Sequence, residues 1–316
     1  MYDLVILGAG PAGLSAAIYA MRKRLDFLVI SEDLGGKTNH VVNLPEVEDY
    51  TIIKAREQVS VYRSRLHYRS ELYRKERVTK VISLTGPEAE KATLFEVCTQ
   101  KTDGTIQTYQ SRTVFIATGA NFPPIDVPGF RRFWGRGLGG NIQSYNHAFW
   151  EKEVFLFSDA TRGLWNALDL ASFASKVYLA LSEEGTYDLE SLEQVRRTTN
   201  IYLCEDVRLV EFNGDDFCQS VEISCRGVSQ VLKADGFFLD LEPQANLEFL
   251  SPNLGADFDD AGRIVVDKYM QTRVPGLFAG GDGCDAGRYQ VLTALGQGAG
   301  AAMSIYQWLR HPAIIV

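Results

Sequence analysis

Two nested α/β domains, each on a Rossmann-like three-layer (ββα) plan, are predicted for this 316-residue chain from three observations. A glycine-rich turn joins a buried strand to a helix at the N-terminus. The same order of strand, turn, helix and strand returns near residue 154, and a last strand and helix have no counterpart in that second copy. The economical arrangement returns the last segment to the first domain. That domain then comprises residues 1–120 and 243–316, around an inserted second domain of residues 121–242.

Leu4-Val5-Ile6-Leu7 is an apolar run of strand length, ended by Gly8-Ala9-Gly10-Pro11-Ala12-Gly13. Small residues then continue to Ala20 as a helix, and Phe27-Leu28-Val29-Ile30 completes a βαβ unit. Leu94 to Thr99 and Thr105 to Gln110 alternate apolar and polar residues around Asp103-Gly104, a hairpin signal. They lead into the buried strand Thr113-Val114-Phe115-Ile116, closed by Ala117-Thr118-Gly119. In the second copy, residues 154–157 and 177–180 are strands flanking a helix, hairpin signals stand at Asn213-Gly214 and Arg226-Gly227, and residues 236–239 close the set. The third segment supplies a strand at 276–279 and a helix from about Gln290 to Leu309.

Composition narrows the function. With 46% apolar and 23% charged residues the chain is ordinary globular protein, and no apolar run approaches the ~18 residues needed to cross a bilayer. Met1-Tyr2-Asp3 carries an acid where a signal peptide needs basic residues, so a cytoplasmic location is expected. A net charge of −8 argues against a general nucleic-acid role, because phosphate backbones are held by surplus Lys and Arg. Five cysteines without a C-x-x-C, and four histidines away from ligand spacing, suggest neither a disulfide scaffold nor a metal site.

The first turn carries the chemistry. Gly8-x-Gly10-x-x-Gly13 between a strand and a helix is a dinucleotide fingerprint: Gly8 permits the tight turn, Gly10 lets backbone approach a diphosphate, and Gly13 lets helix and strand pack closely. The helix N-terminus adds partial positive charge. Ser31 ends the second strand where an acid usually holds ribose hydroxyls, so either Glu32 substitutes or Ser31 supplies that bond.

At this point the sequence resembles the low-molecular-weight thioredoxin reductases over essentially its whole length. Gly35-Gly36-Lys37 with Asn43-Leu44-Pro45 is similar to the loop that wraps the flavin in that family. Ala117-Thr118-Gly119, the run Val274-Pro275-Gly276-Leu277-Phe278-Ala279-Gly280-Gly281-Asp282, and Arg288-Tyr289-Gln290-Val291 before Thr293-Ala294 match three further stretches. The resemblance implies an FAD-dependent oxidoreductase and a homodimer. It implies FAD contacts from Gly8, Gly10, Pro11, Ala12, Gly13, Ser31 and Glu32, from the loop residues Gly36, Lys37 and Asn43, and from Val78. Further contacts come from Ala117, Thr118, Gly119, Gly281, Asp282, Tyr289, Gln290 and Val291, with Asp282 on the ribityl and phosphate region and the last helix aimed at the flavin pyrimidine.

The second copy departs from the family. Laid on the first, Gly8, Gly10 and Gly13 become Ser158, Ala160 and Gly163, so a Cβ stands where a diphosphate needs bare backbone and Asp159 adds like charge. Each change costs on the order of 1 to 3 kcal/mol of diphosphate binding. Ser182-Glu183-Glu184 replaces the family's His-Arg-Arg cluster for the NADPH 2′-phosphate, and two acids cannot hold that group. The family's Cys-Ala-Thr-Cys stretch reads here as residues 140–150, without sulfur; Asn141 and Ser144 fall near the thiol positions, beside Tyr145, His147, Phe149 and Trp150. Those aromatics suit either flavin stacking, with His147 supplying a proton, or a domain-junction core.

Cys98, Cys204 and Cys225 lie in predicted strands and read as small core residues, though Cys218 could meet Cys204 or Cys225 across a hairpin as a redox-active pair. Cys284 sits beside the flavin motif. From Lys54 to Lys80 basic residues dominate, as a solvated helix face or as a landing site for an acidic electron carrier such as ferredoxin. The expectation is an FAD-dependent oxidoreductase that uses neither NAD(P)H nor a dithiol of its own, with a ferredoxin-like or thiol partner protein. By resemblance to diflavin disulfide oxidoreductases, a second FAD could replace NADPH in the inserted domain. The alternative is a flavin-binding sensor without turnover. No catalytic residue is singled out.

Overall fold

A computed structural model describes residues 1–45, 55–84, 94–287 and 289–311. Lys54, Arg288 and the tail Ala313-Ile314-Ile315-Val316 lie outside the described residues. The chain divides into two compact units: Met1–Asn39, Ala55–Asn121 and Gln244–Val316 form one, and His40–Lys54 with Phe122–Pro243 the other. Residues 40–45 thus leave the segment to which the sequence reading assigned them. The cause is backbone pairing: the Asn43 N–H donates to the Gly135 carbonyl, and the Gly137 N–H donates to the Asn43 carbonyl, both at 2.8 Å.

In the first unit β1 (Tyr2–Leu7), β2 (Phe27–Ser31), β3 (Tyr73–Lys75), β4 (Arg77–Ser83), β5 (Phe95–Gln100) and β6 (Ile106–Ile116) form one sheet in the order β3-β2-β1-β6-β5-β4. A late strand, Leu277–Ala279, runs parallel to the end of β6, so the C-terminal segment does complete the first sheet. A short strand β7 (Ala120–Asn121) pairs antiparallel with Gln244–Ala245. The hairpin signal at Asp103-Gly104 joins β5 to β6, and Gly104 takes the positive φ of 86° that the turn requires.

β1 is apolar throughout because both its faces are covered. Leu4 and Ile6 pack with helix α1 (Pro11–Arg22) and the C-terminal helix Val291–Arg310. Val5 and Leu7 face the opposite layer, where Val81, Phe95 and Val97 of the β4–β5 meander lie. α1 and the C-terminal helix approach closely at Gly298, where a Cβ would come within 2.0 Å of the Ala12 carbonyl oxygen. Helix α2 (Ala55–Tyr68) follows, carrying the basic run on a largely exposed surface, with Val59 and Leu66 fully buried.

The second unit repeats the plan. Its strands β8 (Leu138–Gly139), β9 (Glu153–Ala160), β10 (Lys176–Thr186), β11 (Ile201–Gly214), β12 (Cys218–Cys225), β13 (Val228–Lys233) and β14 (Gly236–Asp240) take the order β13-β12-β11-β10-β9-β14-β8. A short helix α3 (Phe130–Phe133) precedes them, and helices α4 (Thr161–Ala171) and α5 (Leu189–Arg197) follow β9 and β10. β9 sits between β10 and β14 as β1 sits between its neighbours, and again alternate residues divide: Val154 and Leu156 face α4, while Phe155 and Phe157 face the meander.

Candidate cofactor site

The first unit gathers most of the expected cofactor residues around the turn after β1. Gly8 takes φ +98°, and a Cβ there would stand 2.3 Å from the Ala117 carbonyl oxygen, so this turn lies directly on the Ala117–Gly119 turn after β6. A Cβ on Gly13 would meet the Gly8 carbonyl oxygen at 1.9 Å, which is the close strand–helix packing the fingerprint needs. Gly10 differs: it is the N-cap of α1, no side chain caps the helix, Pro11 occupies the first turn with no acid, and a Cβ would meet no atom within 4 Å. The open backbone at a helix N-terminus is a seat for an anion.

Loops close around that seat. The Gly35 N–H donates to the Ala9 carbonyl at 2.8 Å, and Gly36 (φ +55°) brings the loop to within 3.3 Å of the Gly10 Cα, measured from where its own Cβ would stand. The Asp33 carboxylate accepts the Gly36 N–H at 2.9 Å and closes this turn, while Glu32 stays exposed at the end of β2 beside Ser31. Lys37 ion-pairs with Asp282, whose side chain is largely buried, and Lys37 also sits 5.7 Å over the Tyr289 ring. Tyr289 has a left-handed backbone, φ +53°, directly before Gln290, the N-cap of the C-terminal helix, and Val291, its first residue. Strain of that kind persists where surrounding structure holds it.

Two residues missed in the sequence organise this cradle. Gln297 accepts the Gly281 N–H at 2.7 Å and donates to the Ala286 carbonyl at 2.7 Å, fixing the Gly281–Asp282 turn from one helical side chain. The Asn246 backbone carbonyl accepts the Thr118 hydroxyl at 2.8 Å, its side-chain amide donates to the Thr118 carbonyl at 3.0 Å, and its N–H donates to the Gly119 carbonyl at 2.9 Å, while a Cβ on Gly119, at φ +68°, would meet no atom within 4 Å. Only contact across the fold gives these amides meaning, and no local pattern marks them. Val78 is half-buried on β4 opposite Thr99 and packs on the cluster that holds Leu7 and Ile30, the ends of the strands before the turn, while Asn43 belongs to the second unit. The residues at the cradle fit FAD: bare Gly10 and an uncapped helix for the diphosphate, Asp282 and Lys37 as polar partners, and a second helix N-terminus without acids at Gln290.

The second unit fills the equivalent turn with itself. The buried Ser158 hydroxyl donates to the Asp240 carbonyl at 2.8 Å, and a Cβ on Gly163 would strike its Oγ at 2.2 Å. β10 runs past its expected end to Thr186, which pairs with Ala160, and the Tyr187 hydroxyl donates to the Ser158 carbonyl at 2.8 Å. The Asp188 N–H then donates to the Thr161 hydroxyl at 3.0 Å, so residues 186–188 are laced across the start of α4. Arg162 at that helix start is held by Asp240 at 2.7 Å, by the Leu241 carbonyl at 3.0 Å and by Glu242 at 3.4 Å. Burial raises the Asp159 carboxyl pKa, while its oxygen accepts the Glu242 N–H at 2.8 Å. Glu183 pairs at the surface with Arg208, 3.4 Å away.

The sulfur-free stretch forms two 3₁₀ turns, Ile142–Ser144 and Asn146–Phe149. Asn141 and Ser144 hydrogen-bond each other at 3.3 Å. Phe149 and Tyr145 pack on Phe238, with ring centroids 5.5 and 5.6 Å away, and burial raises the Tyr145 hydroxyl pKa. Both rings therefore belong to the second unit's core, whereas His147, Trp150 and Trp165 are exposed, the last donating from its indole to Ser191 at 2.9 Å. Cys284 is fully buried, donates to the Gly281 carbonyl at 3.2 Å, and is pushed up to about 11 by burial.

The profile of the family described as pyridine nucleotide-disulphide oxidoreductase matches residues 2–149 and 170–298. The chain is 27% identical, over 98% of its length, to a component of the alkyl hydroperoxide reductase of Staphylococcus epidermidis, and 29% identical, over 98%, to an NADH dehydrogenase of Bacillus subtilis. It spans 59% of the former protein's length and 58% of the latter's. Its fold is similar to the crystal structure of thioredoxin reductase from Streptococcus pyogenes, with a TM-score of 0.82 at 25% identity, covering 98% of both chains.

Proposed function

This chain belongs to the pyridine nucleotide-disulphide oxidoreductase family, and we propose that within it the chain is an FAD-dependent oxidoreductase whose second unit no longer accepts a nicotinamide nucleotide. When bound, FAD supplies reversible uptake and release of two electrons. The protein's part is to seat the diphosphate on Gly10 and the start of α1, and to close Gly36 and Lys37 over it. It also presents two acid-free helix N-termini, whose partial positive charge favours an electron-rich ligand.

The observation that carries the reading is the lacing of residues 186–188 over the turn 158–163. A diphosphate needs bare backbone and a free cation there; the turn instead holds a serine hydroxyl, a tyrosine hydroxyl and an arginine neutralised by carboxylates. The same filling argues against a second FAD on this turn, so we propose one flavin per chain. Electrons then come from a partner protein. Arg56, Arg65, Arg69, Lys75, Arg77 and Lys80, all exposed on and after α2, suit an acidic carrier in a chain whose net charge is −8.

Anaerobic mixing with NADH and with NADPH tests this directly. The visible flavin band should persist through many minutes with either nucleotide, while a chemical reductant bleaches it at once. Bleaching by either nucleotide at catalytic speed sinks the proposal, as does release of two flavins per chain on denaturation.

A further inference from the structure

Three of the five cysteines, Cys204, Cys218 and Cys225, lie in one core cluster of the second unit. Cys218 is at the far end of the β11–β12 hairpin, paired with Gly214. Cys204 and Cys225 are brought together by a bulge. Between β10 and β11 Ala180 pairs with Cys204, yet Ser182 pairs with Val207, so β11 carries one extra residue there, and Asp206 takes φ +55°. In a regular strand, positions three apart face opposite ways; one inserted residue returns Val207 to the face of Cys204. Cys225 is directly opposite Val207 on β12 and therefore shares that face, one diagonal step from Cys204. Its thiol donates to the carbonyl of Glu205, the residue bonded to Cys204, at 3.4 Å.

We propose that Cys204 and Cys225 are a peroxide-reactive dithiol that closes to a disulfide across β11 and β12. Cys225 is half-buried and reachable, whereas Cys204 is 4% exposed. Cys225, the more exposed of the two, meets the peroxide first, and Cys204, whose thiol is pushed up to about 12 by burial and by its neighbour Cys225, serves as the resolving thiol. The Cys225 sulfur attacks a peroxide oxygen, the O–O bond breaks, and a sulfenic acid forms with loss of one water. The Cys204 sulfur then displaces the second oxygen as water, its proton leaving with it. One S–S bond forms, two S–H bonds are lost, and one hydrogen peroxide becomes two waters. The step needs no flavin, so it stands apart from the function proposed above.

The test is a peptide map of the full-length flavoprotein after brief exposure to hydrogen peroxide, followed by denaturation, alkylation and digestion. The expected product is a peptide pair joining Cys204 to Cys225 in most molecules, absent before exposure and removed by dithiothreitol, with Cys98 and Cys284 still alkylated. Cys218→Ser should leave the yield unchanged, while Cys225→Ser should leave Cys204 fully alkylated. A Cys204–Cys218 linkage, sulfinic acid on Cys225 with Cys204 free, or full alkylation of both thiols would overturn the proposal. The wild-type map decides by itself if a variant fails to fold.

Discussion

Gly10 and Gly13 stand in one turn of helix and carry opposite constraints. At Gly13 the missing side chain is required by the protein, since a Cβ would overlap the Gly8 carbonyl; at Gly10 the space is kept for something else. Gly10→Val should fold with unchanged far-ultraviolet circular dichroism and retain less than about a tenth of the flavin, whereas Gly13→Ala or Gly298→Ala should cost roughly 1–3 kcal/mol in urea unfolding. A second residue-scale outcome concerns alkaline pH. Burial, then the Glu76 carboxylate that accepts its hydroxyl, pushes Tyr109 up to about 12 from the ordinary 10.0; burial and Asp33 do the same for Tyr73. The folded state keeps protons that the unfolded chain loses near pH 10, so this contribution is complete below about pH 10 and disappears as pH rises towards about 12. Tyr109→Phe should flatten the loss, read from urea midpoints at about pH 9 and about pH 11. The fingerprint glycines were readable in the sequence because each stands at a fixed offset from a strand end. Gln297 and Asn246 were not, since their partners are 16 and 128 positions away.

At the scale of elements, the end of β10 decides what the second unit can bind. Residues 182–185, Ser-Glu-Glu-Gly, read locally as a polar loop, yet the backbone continues to pair and carries Thr186 back onto Ala160. A polar chain with its middle buried runs from exposed Gln143 to buried Asn166 at 3.0 Å, from Asn166 to buried Asp240 at 2.9 Å, and from Asp240 to half-buried Arg162 at 2.7 Å. Removing Asp240 leaves Arg162 its Glu242 and Leu241 partners but leaves the buried Asn166 amide without its acceptor, so Asp240→Ala should lose about 1–3 kcal/mol in urea unfolding. Arg226→Ala, at an exposed pair with Glu205, should lose at most about 1 kcal/mol. The bulge at Asp206 is a second element-scale decision: one residue sets which side chains share a face, and hence which cysteines meet.

At the scale of the molecule, each unit has its own pair of cores on the two faces of its own sheet, and the turns that form the cradle, after β1, after β6 and before the C-terminal helix, are in the first. A ligand stabilises only what binds it. Flavin at a hundred times its dissociation constant should add about 2.7 kcal/mol to the first unit. Hydrogen exchange should slow in β1, β2 and β6 and stay unchanged in β9 to β12; equal slowing in both units would contradict a single flavin site. By itself the sequence determined the two-copy α/β plan, the return of the C-terminal segment to the first sheet, and the glycine turn between β1 and α1, because strand burial and glycine geometry are local demands written at local spacing. The tertiary structure alone decided that residues 40–45 join the second unit, that the second turn is closed by residues 186–188, and that Cys204 and Cys225 share a face. Those outcomes depend on pairing between segments distant in sequence, where register and not residue type determines which groups meet.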